Sequence, residues 1–524
     1  MQRARWLETR TFDRDTIALA IVLAIGTVLR VALMLGSSGI LWADSYSFYL
    51  SAESLRAGDV FSHDAFKTPL YHAFLALFMT ISETPAMGAL FIGVQHLLGL
   101  IATAVFYRIA RQLFTTPVAF ISSLLFTGHT LLLFYETSVL SEVLFVFFLS
   151  LLLHQSVHVL QSSRGSAPAP AMWRYALIGG LAALATLTRP VSESFVFCIA
   201  AIIIIAGRLS RRSIGAAALA VGVYCAAMAP WLYVNSQTYG FWGVSLGRGL
   251  GLFIRVFEID KLEPRPDTRY EVVRDVLGWA RARGRNISYV VRDELNFRHG
   301  HSSESADAAM FGFAFETVRA QPWLYVRNSA WSWVHQLVLE RQDPEICRAR
   351  GVPYLCTSSG LEMSTAMFPN VPPPGHRWVK REIAAWFRTA YIRMWLVVPL
   401  AFVGVLWLAF PRVRVAGQTS RAAPSAAIGS VSMPAVILLI VAIVYFTAIP
   451  ALMQFPEERY RLPVDALLFM FAASCVHHVF ESTHSARAFA SSAWARAFGC
   501  ESKMLAWVSK VFRRSFRSST SRRS

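Results

Sequence analysis

Charge is scarce in this chain, and acidic charge scarcer still. Only 16% of its 524 residues are Asp, Glu, Lys or Arg, against about 25% in an ordinary soluble domain, and 32 acids stand against 50 Lys and Arg. The hydrophobic share of 55% and the mean hydropathy of +0.44 complete the pattern of a membrane protein. The net charge of +18 would fit a nucleic-acid binder only if the basic residues formed one soluble face. They cluster instead between apolar runs, which is the positive-inside pattern and excludes that class. Also missing are a Gly-rich phosphate loop, a His-Glu-x-x-His, a Gly-x-Ser-x-Gly and any solenoid period. There is no Asp-x-Asp in the first loop and no His, Cys or carboxylate set at metal spacing, so no cofactor is expected; a divalent metal would need two distant acids brought together by the fold. Cysteine is sparse at six. Cys198, Cys225 and Cys475 fall in apolar runs and read as small buried hydrophobes, whereas Cys347 and Cys356 are spaced for a disulfide in an oxidising compartment; Cys500 reads as a free cytoplasmic thiol.

What the chain has in abundance is apolar runs of spanning length, about 20 residues. Eight fall near 16–36, 87–107, 115–135, 139–159, 214–234, 392–410, 433–453 and 462–480. Two shorter runs, 174–188 and 191–207, meet at Thr188-Arg189-Pro190, where Arg and Pro predict a sharp turn at a membrane surface. The expected architecture is an all-α polytopic bundle of about ten transmembrane helices. The first run is longer than a signal-peptide core and its leader holds Glu8, Asp13 and Asp15, so it reads as an uncleaved span. Arg108, Arg111, Arg164, Arg174, Arg208, Arg211, Arg212, Arg412, Arg414 and Arg421 then lie on one side, expected to be the cytoplasm together with both termini. The tail places Trp494, Phe498, Leu505, Val508 and Phe512 at helical spacings among Lys and Arg, as in a helix lying on anionic lipid.

The opposite side receives charge at the ends of apolar helices. It holds Asp44 in the first external loop, Lys67 further along that loop, the turns at Glu136 and Arg189, a segment of residues 235–388 expected to form a cap, and Phe455 to Arg461. The cap shows helical pattern in Asp267–Arg283 and Ser305–Trp333. A carboxylate just outside the hydrocarbon can act as a base, and Lys67 with Arg459 or Arg461 can neutralise a phosphate. The bland alternatives are a helix cap for Asp44 and snorkelling for the cations. Glu142, at the head of the fourth run, is costly there unless paired, either for function or to Arg189. Glu136 reads as nearer solvent. Gln95, His96 and His129 lie inside spans and are expected to bond across helices.

The order of these motifs resembles the polytopic glycosyltransferases of the GT-C fold, in the branch of the protein O-mannosyltransferases and the lipid A aminoarabinose transferase. Asp44 with Tyr46 and Tyr49 is similar to the family's first-loop acid and tyrosine. Lys67, Pro69, Leu70 and Tyr71 are similar to its Lys-x-Pro-Leu-Tyr element. Ser141-Glu142, Thr188-Arg189-Pro190, Pro230-Trp231 with Asn235, and Glu458-Arg459-Tyr460-Arg461-Leu462-Pro463 follow in the family's order. The resemblance implies a membrane glycosyltransferase that moves a hexosyl or pentosyl group from a polyprenyl-phosphate donor to an extracytoplasmic glycolipid, polysaccharide or protein. It implies Asp44 as the catalytic base and Lys67, Arg189, Arg459 and Arg461 as binders of the lipid phosphate; Glu142 stands beside them as a second catalytic candidate, and Tyr46 and Tyr71 as substrate-binding candidates. Asp44-Ser45 departs from the paired acids of the protein mannosyltransferases. The expected organisation is a membrane module over 1–234 with its catalytic loop at 37–86, the cap at 235–388, further membrane helices at 389–482 and a basic tail at 483–524, in a bacterial inner membrane. The rival readings are a lipid-linked glycan ligase or polymerase, for which Arg298, His299 and His301 speak, and a transporter or flippase, against which the absence of internal symmetry speaks.

Overall fold

The computed structural model describes residues 13–36, 43–61, 65–81, 85–162, 170–283, 287–338, 392–409, 432–454 and 457–498. Cys347, Cys356 and Cys500 lie outside these residues, as does most of the basic tail. The chain divides into two units, 1–473 and 474–524. The second is helical over its described residues, and every site below belongs to the first.

Among the described residues the regular structure is helical, without a strand. The apolar runs become α1 (Arg14–Gly36), α4 (Pro85–Leu113), α5 (Thr116–Thr127) with α6 (Thr130–Glu136), α7 (Glu142–Ser162), α8 (Trp173–Thr188), α9 (Phe195–Ala206), α10 (Arg211–Tyr239), α16 (Met394–Ala409), α17 (Met433–Met453) and α18 (Glu458–Phe498). Six helices among the described residues are long and apolar enough to cross a membrane, and a seventh crossing arises if α5 and α6, bent by 50°, form one span. The sequence leads one to expect ten crossings; six or seven reach spanning length among the described residues, and α8, α9 and α16 fall short of it. The expected turn at Arg189 is present, with α8 ending at Thr188 and a 3-10 turn over Pro190–Ser192 leading into α9.

Local chemistry sets several boundaries. At the start of α10 the Ser210 hydroxyl accepts from the Ser213 amide at 3.2 Å, and at its end Gly240 adopts φ +80°, the left-handed conformation that glycine takes without strain. Where α8 meets α10, a Cβ on Gly179 would lie 2.1 Å from the Ala220 carbonyl oxygen, so only glycine permits this approach.

The bundle interior is not wholly apolar. Glu136, at the end of α6, is fully buried and takes Arg30 of α1 at 2.5 Å and His96 of α4 at 2.7 Å. Arg30 also donates to the Thr127 hydroxyl at 3.0 Å and the Gly26 carbonyl at 3.1 Å. A Cβ at residue 99 would sit 1.7 Å from Glu136 Oε1, which is why Gly99 stands there. Glu136 is thus a core residue and not the near-solvent acid expected. Gln95 bonds across helices to the Glu136 and Ser138 carbonyls at 3.1 and 2.8 Å, and His129 meets Asp465 at 2.9 Å.

Two helices occupy the first loop, α2 (Ala43–Arg56) and α3 (Pro69–Ile81). The expected cap contains α11 (Arg248–Phe253), continued as a π-turn over Ile254–Ile259, then α12 (Glu271–Arg281), α13 (Ile287–Phe297), α14 (Ser303–Ala320) and α15 (Pro322–Val338). The helical stretch expected over 305–333 is two helices, divided at Gln321-Pro322, where proline cannot continue the amide ladder. The cap helices enclose a second apolar core around Phe253, Phe257 and Phe313, with Phe257 and Phe313 stacked at 5.0 Å. Each such buried ring contributes on the order of 1.5–3 kcal/mol. Phe66, from the first loop, packs against this core and joins the loop to the cap.

Candidate active site

Three distant segments converge on Asp44. The residue lies in the first turn of α2, and the neighbouring Ser45 hydroxyl donates to the Val139 carbonyl at 2.8 Å, tying this helix start to the head of α7. The Asp44 carboxylate does not turn back onto its own helix: Oδ1 accepts from Lys67 Nζ at 2.9 Å and Oδ2 from Arg459 Nη1 at 3.1 Å. Its side chain retains 41% of its exposure, against 20% for Lys67 and 23% for Arg459, so the acid stands at the accessible edge of its two cations. Lys67 first, and Arg459 after it, hold the Asp44 carboxyl well below the usual carboxylate range, against the opposing effect of burial.

Each cation has its own support. Lys67 Nζ sits 5.0 Å from the centre of the Phe48 ring, and Phe48 rests edge-on against Tyr71 at 4.7 Å. Tyr71 is fully buried and its hydroxyl donates to Gln95 Oε1 at 3.1 Å, so it braces the floor beneath Lys67 and does not face the opening. Arg459 lies over the Tyr460 ring at 5.2 Å and pairs through Nε with Glu457. Burial pushes the Glu457 carboxyl up to about 7, against the pull of Arg459. This connection between α17 and α18 therefore supplies one permanent cation and one acid that titrates near neutrality.

A second pair stands beside the first. Glu142 Oε1 lies 2.5 Å from Arg189 Nη1, while Glu142 Oε2 is buried without a hydrogen-bond partner among the described residues. A small recess of about 10 Å³ is lined by Arg189, Arg459 and Tyr460 with Phe145, Phe446 and Pro450. One cation of each ion pair, Arg189 and Arg459, thus faces it. From the cap, Tyr289 is raised above its usual pKa by burial and then by the negative charge of Asp44, and Arg292 bridges Tyr289 and Phe66, 5.2 Å from each ring.

Of the residues expected from the sequence, Asp44, Lys67 and Arg459 come together, and Glu142 and Arg189 form the adjoining pair. Arg461 goes elsewhere: it is buried against Asp465 at 2.7 Å and donates to the Gln336 and Leu337 carbonyls at 3.1 Å each. The Tyr46 side chain lies outside the described residues. Glu457, Tyr289, Arg292 and Asp465 were not singled out in the sequence. Glu457 was within sight, since it adjoins Glu458-Arg459 in the quoted motif.

Residues 66–233 match the family model described as dolichyl-phosphate-mannose-protein mannosyltransferase. That segment, about a third of the chain, holds Lys67, Tyr71, Glu142 and Arg189; Asp44 and Arg459 lie outside the matched residues. The match agrees with the resemblance to the protein O-mannosyltransferase branch that the motif order carries. Among solved structures, the chain is 14% identical to the Archaeoglobus fulgidus oligosaccharyltransferase AglB in complex with an inhibitory peptide and a dolichol-phosphate, covering 93% of this chain and 52% of that one at a TM-score of 0.42. It is 12% identical to ArnT from Cupriavidus metallidurans bound to undecaprenyl phosphate, covering 87% and 76% at a TM-score of 0.35. The chain thus spans about half the length of the oligosaccharyltransferase. No curated protein matches it.

Proposed function

We propose that this protein is a membrane glycosyltransferase that moves a sugar from a polyprenyl-phosphate donor to an acceptor hydroxyl outside the cytoplasm, with Asp44 as the general base. One observation carries this reading: an accessible carboxylate shared by two cations, Lys67 at 2.9 Å and Arg459 at 3.1 Å, at the head of a helical membrane bundle. The match of residues 66–233 to a family described by a dolichyl-phosphate-mannose donor supports the substrate class.

The chemistry follows from charge. With Glu457 protonated, Lys67 and Arg459 exceed Asp44 by one positive charge, which complements the single negative charge of a polyprenyl-phosphoryl sugar. The acceptor oxygen attacks the anomeric carbon, the bond from that carbon to the phosphate oxygen breaks, and the acceptor proton passes to Asp44. The departing phosphate gains a negative charge in this step, so the two cations stabilise the transition state more than the bound donor. No general acid is needed, because phosphate leaves without a proton. Donor binding also draws Lys67 and Arg459 toward the phosphate, which relaxes their hold on Asp44 and makes it a stronger base. Attack from the face opposite the leaving phosphate predicts inversion at the anomeric carbon.

The test is purified protein offered a panel of polyprenyl-phosphate sugars, with released polyprenyl phosphate as the readout. Release from one member is expected, and Lys67→Ala should weaken that donor about 10- to 150-fold, the loss of a charge-assisted contact worth roughly 1.5–3 kcal/mol. No release from any member, or donor binding unchanged in the variant, would count against the reading.

Donor affinity should also depend on pH through Glu457. Below about 7 this carboxyl keeps its proton and leaves Arg459 to Asp44 and the phosphate; above it, the carboxylate competes for the same guanidinium. Affinity is therefore expected to fall as pH rises through 7, by about fivefold, the size of a partly exposed ion pair of roughly 1 kcal/mol. Glu457→Gln should flatten the profile. A slope that survives in the Gln variant assigns the titration to another group.

A further inference from the structure

Helix α15 has its polarity inside out. Its buried residues are all polar, Ser329, Ser332 and Gln336, whereas Trp323, Val326, Trp331 and Val334 are exposed, at 77%, 54%, 73% and 49%. The exposed set recurs at intervals of three, five and three residues along one face, and the buried set at three and four along the other. A helix washed by water on its outer side would carry the reverse pattern, as α12 does with Val273, Val276, Leu277 and Ala280 buried.

The inner face is tied to the bundle by directed bonds. The Tyr325 hydroxyl donates to the Leu452 carbonyl at 2.5 Å, Trp333 Nε1 to the Thr447 hydroxyl at 2.7 Å, and Arg461 to the carbonyls of Gln336 and Leu337. Ser332 accepts from the buried Arg255 of the cap at 2.7 Å. Between the first two contacts α15 advances about 12 Å while α17 advances about 7.5 Å, so the helix slopes along the cap-side end of that span. α17 is a spanning candidate with mean hydropathy 2.7, and its outward face exposes Ile437, Val444 and Leu452. The exposed α15 stripe belongs to a helix bonded directly to this span.

We infer that the Trp323, Val326, Trp331 and Val334 face of α15 is embedded in the outer leaflet of the bilayer, fixing the cap to the membrane beside the active site. Bilayer lipid is the occupant because the stripe lies on a helix bonded directly to a spanning helix near its end, and because two tryptophans with Arg327 on the same side are the side chains that settle at the headgroup boundary. The polar inner face is then shielded from lipid, with Ser332 bonded to Arg255 and the Gln336 and Leu337 carbonyls bonded to Arg461. This places part of the expected extracytoplasmic cap within the membrane, and it stands independently of the proposed chemistry.

Nitroxide labels at Val326→Cys, Ala330→Cys and Val334→Cys, each in full-length protein lacking the six native cysteines and held in phosphatidylethanolamine/phosphatidylglycerol nanodiscs, test it. Collision with oxygen is expected to exceed collision with a water-soluble nickel chelate at all three sites, and the reverse is expected at Val272→Cys on α12. Nickel-dominated collisions on α15 would make the stripe a water-facing surface; low collision with both reagents would mean that protein, from this chain or a second copy, covers it. Either result overturns the inference. Should the cysteine-free protein fail to fold, brominated phosphatidylcholine answers the same question with native cysteines in place. The Trp323→Phe/Trp331→Phe variant should lose part of the bromolipid-quenchable emission, and an unchanged quenchable fraction overturns the inference.

Discussion

Asp44→Asn should lower turnover by about 10²- to 10⁴-fold, the range spanned by loss of a positioned general base. The substitution keeps the shape of the side chain and removes only its charge and its capacity to take a proton. Lys67 and Arg459, at 2.9 and 3.1 Å from the carboxylate, are released to the donor phosphate, so the dissociation constant for polyprenyl phosphate is expected to stay level or to tighten. That split between turnover and affinity separates a base from a residue that merely orders its cations. If Asp44 only positioned Lys67 and Arg459, the Asn variant would lose donor affinity together with rate. Single-turnover transfer and equilibrium binding of polyprenyl phosphate, measured on the same preparation, decide the matter; turnover within a few-fold of the parent protein would remove Asp44 from the chemistry.

The sequence exposed this acid because an uncompensated carboxylate at the end of an apolar helix is conspicuous. Apolar runs were legible for the same reason, since a hydrophobic stretch near 20 residues has few other uses. The choice between Arg459 and Arg461 was not legible. Two positions apart on a helix, they point roughly 200° from one another. Arg459 accordingly reaches Asp44, while Arg461 turns inward to Asp465, one turn further along α18. No spacing rule states which of the two faces the opening; the packing of α18 decides it. The contributions of Tyr289 and Arg292 were hidden more completely, because they approach the site from a cap helix with no motif of its own. Glu136 was misjudged because the run over 115–135 reads as one continuous helix. The break after Thr127 bends the path by 50° and delivers all of α6, Glu136 included, into the interior.

Glu136→Ala should cost about 3–5 kcal/mol of stability, the penalty for stranding a buried charge by removing its partner. Arg30 would be left in the core with only the Thr127 hydroxyl and backbone carbonyls, and His96 Nδ1 would lose its acceptor. The set is expected to behave as one unit, so Arg30→Ala and Glu136→Ala should be strongly non-additive, with the double variant no worse than the poorer single one. Replacing both charges by apolar side chains, as in Arg30→Met/Glu136→Leu, should recover most of the loss, because the expense of burying charge disappears with the charge itself. Thermal unfolding in detergent, followed for the singles and the double, measures this. Gly99 sharpens the expectation: Gly99→Ala sets a methyl 1.7 Å from the present position of Glu136 Oε1, so the carboxylate must shift, and a smaller loss than that of Glu136→Ala is expected because Arg30 keeps a counter-charge. Independent additive effects at Arg30 and Glu136 would mean that α1 and α6 are held by packing alone.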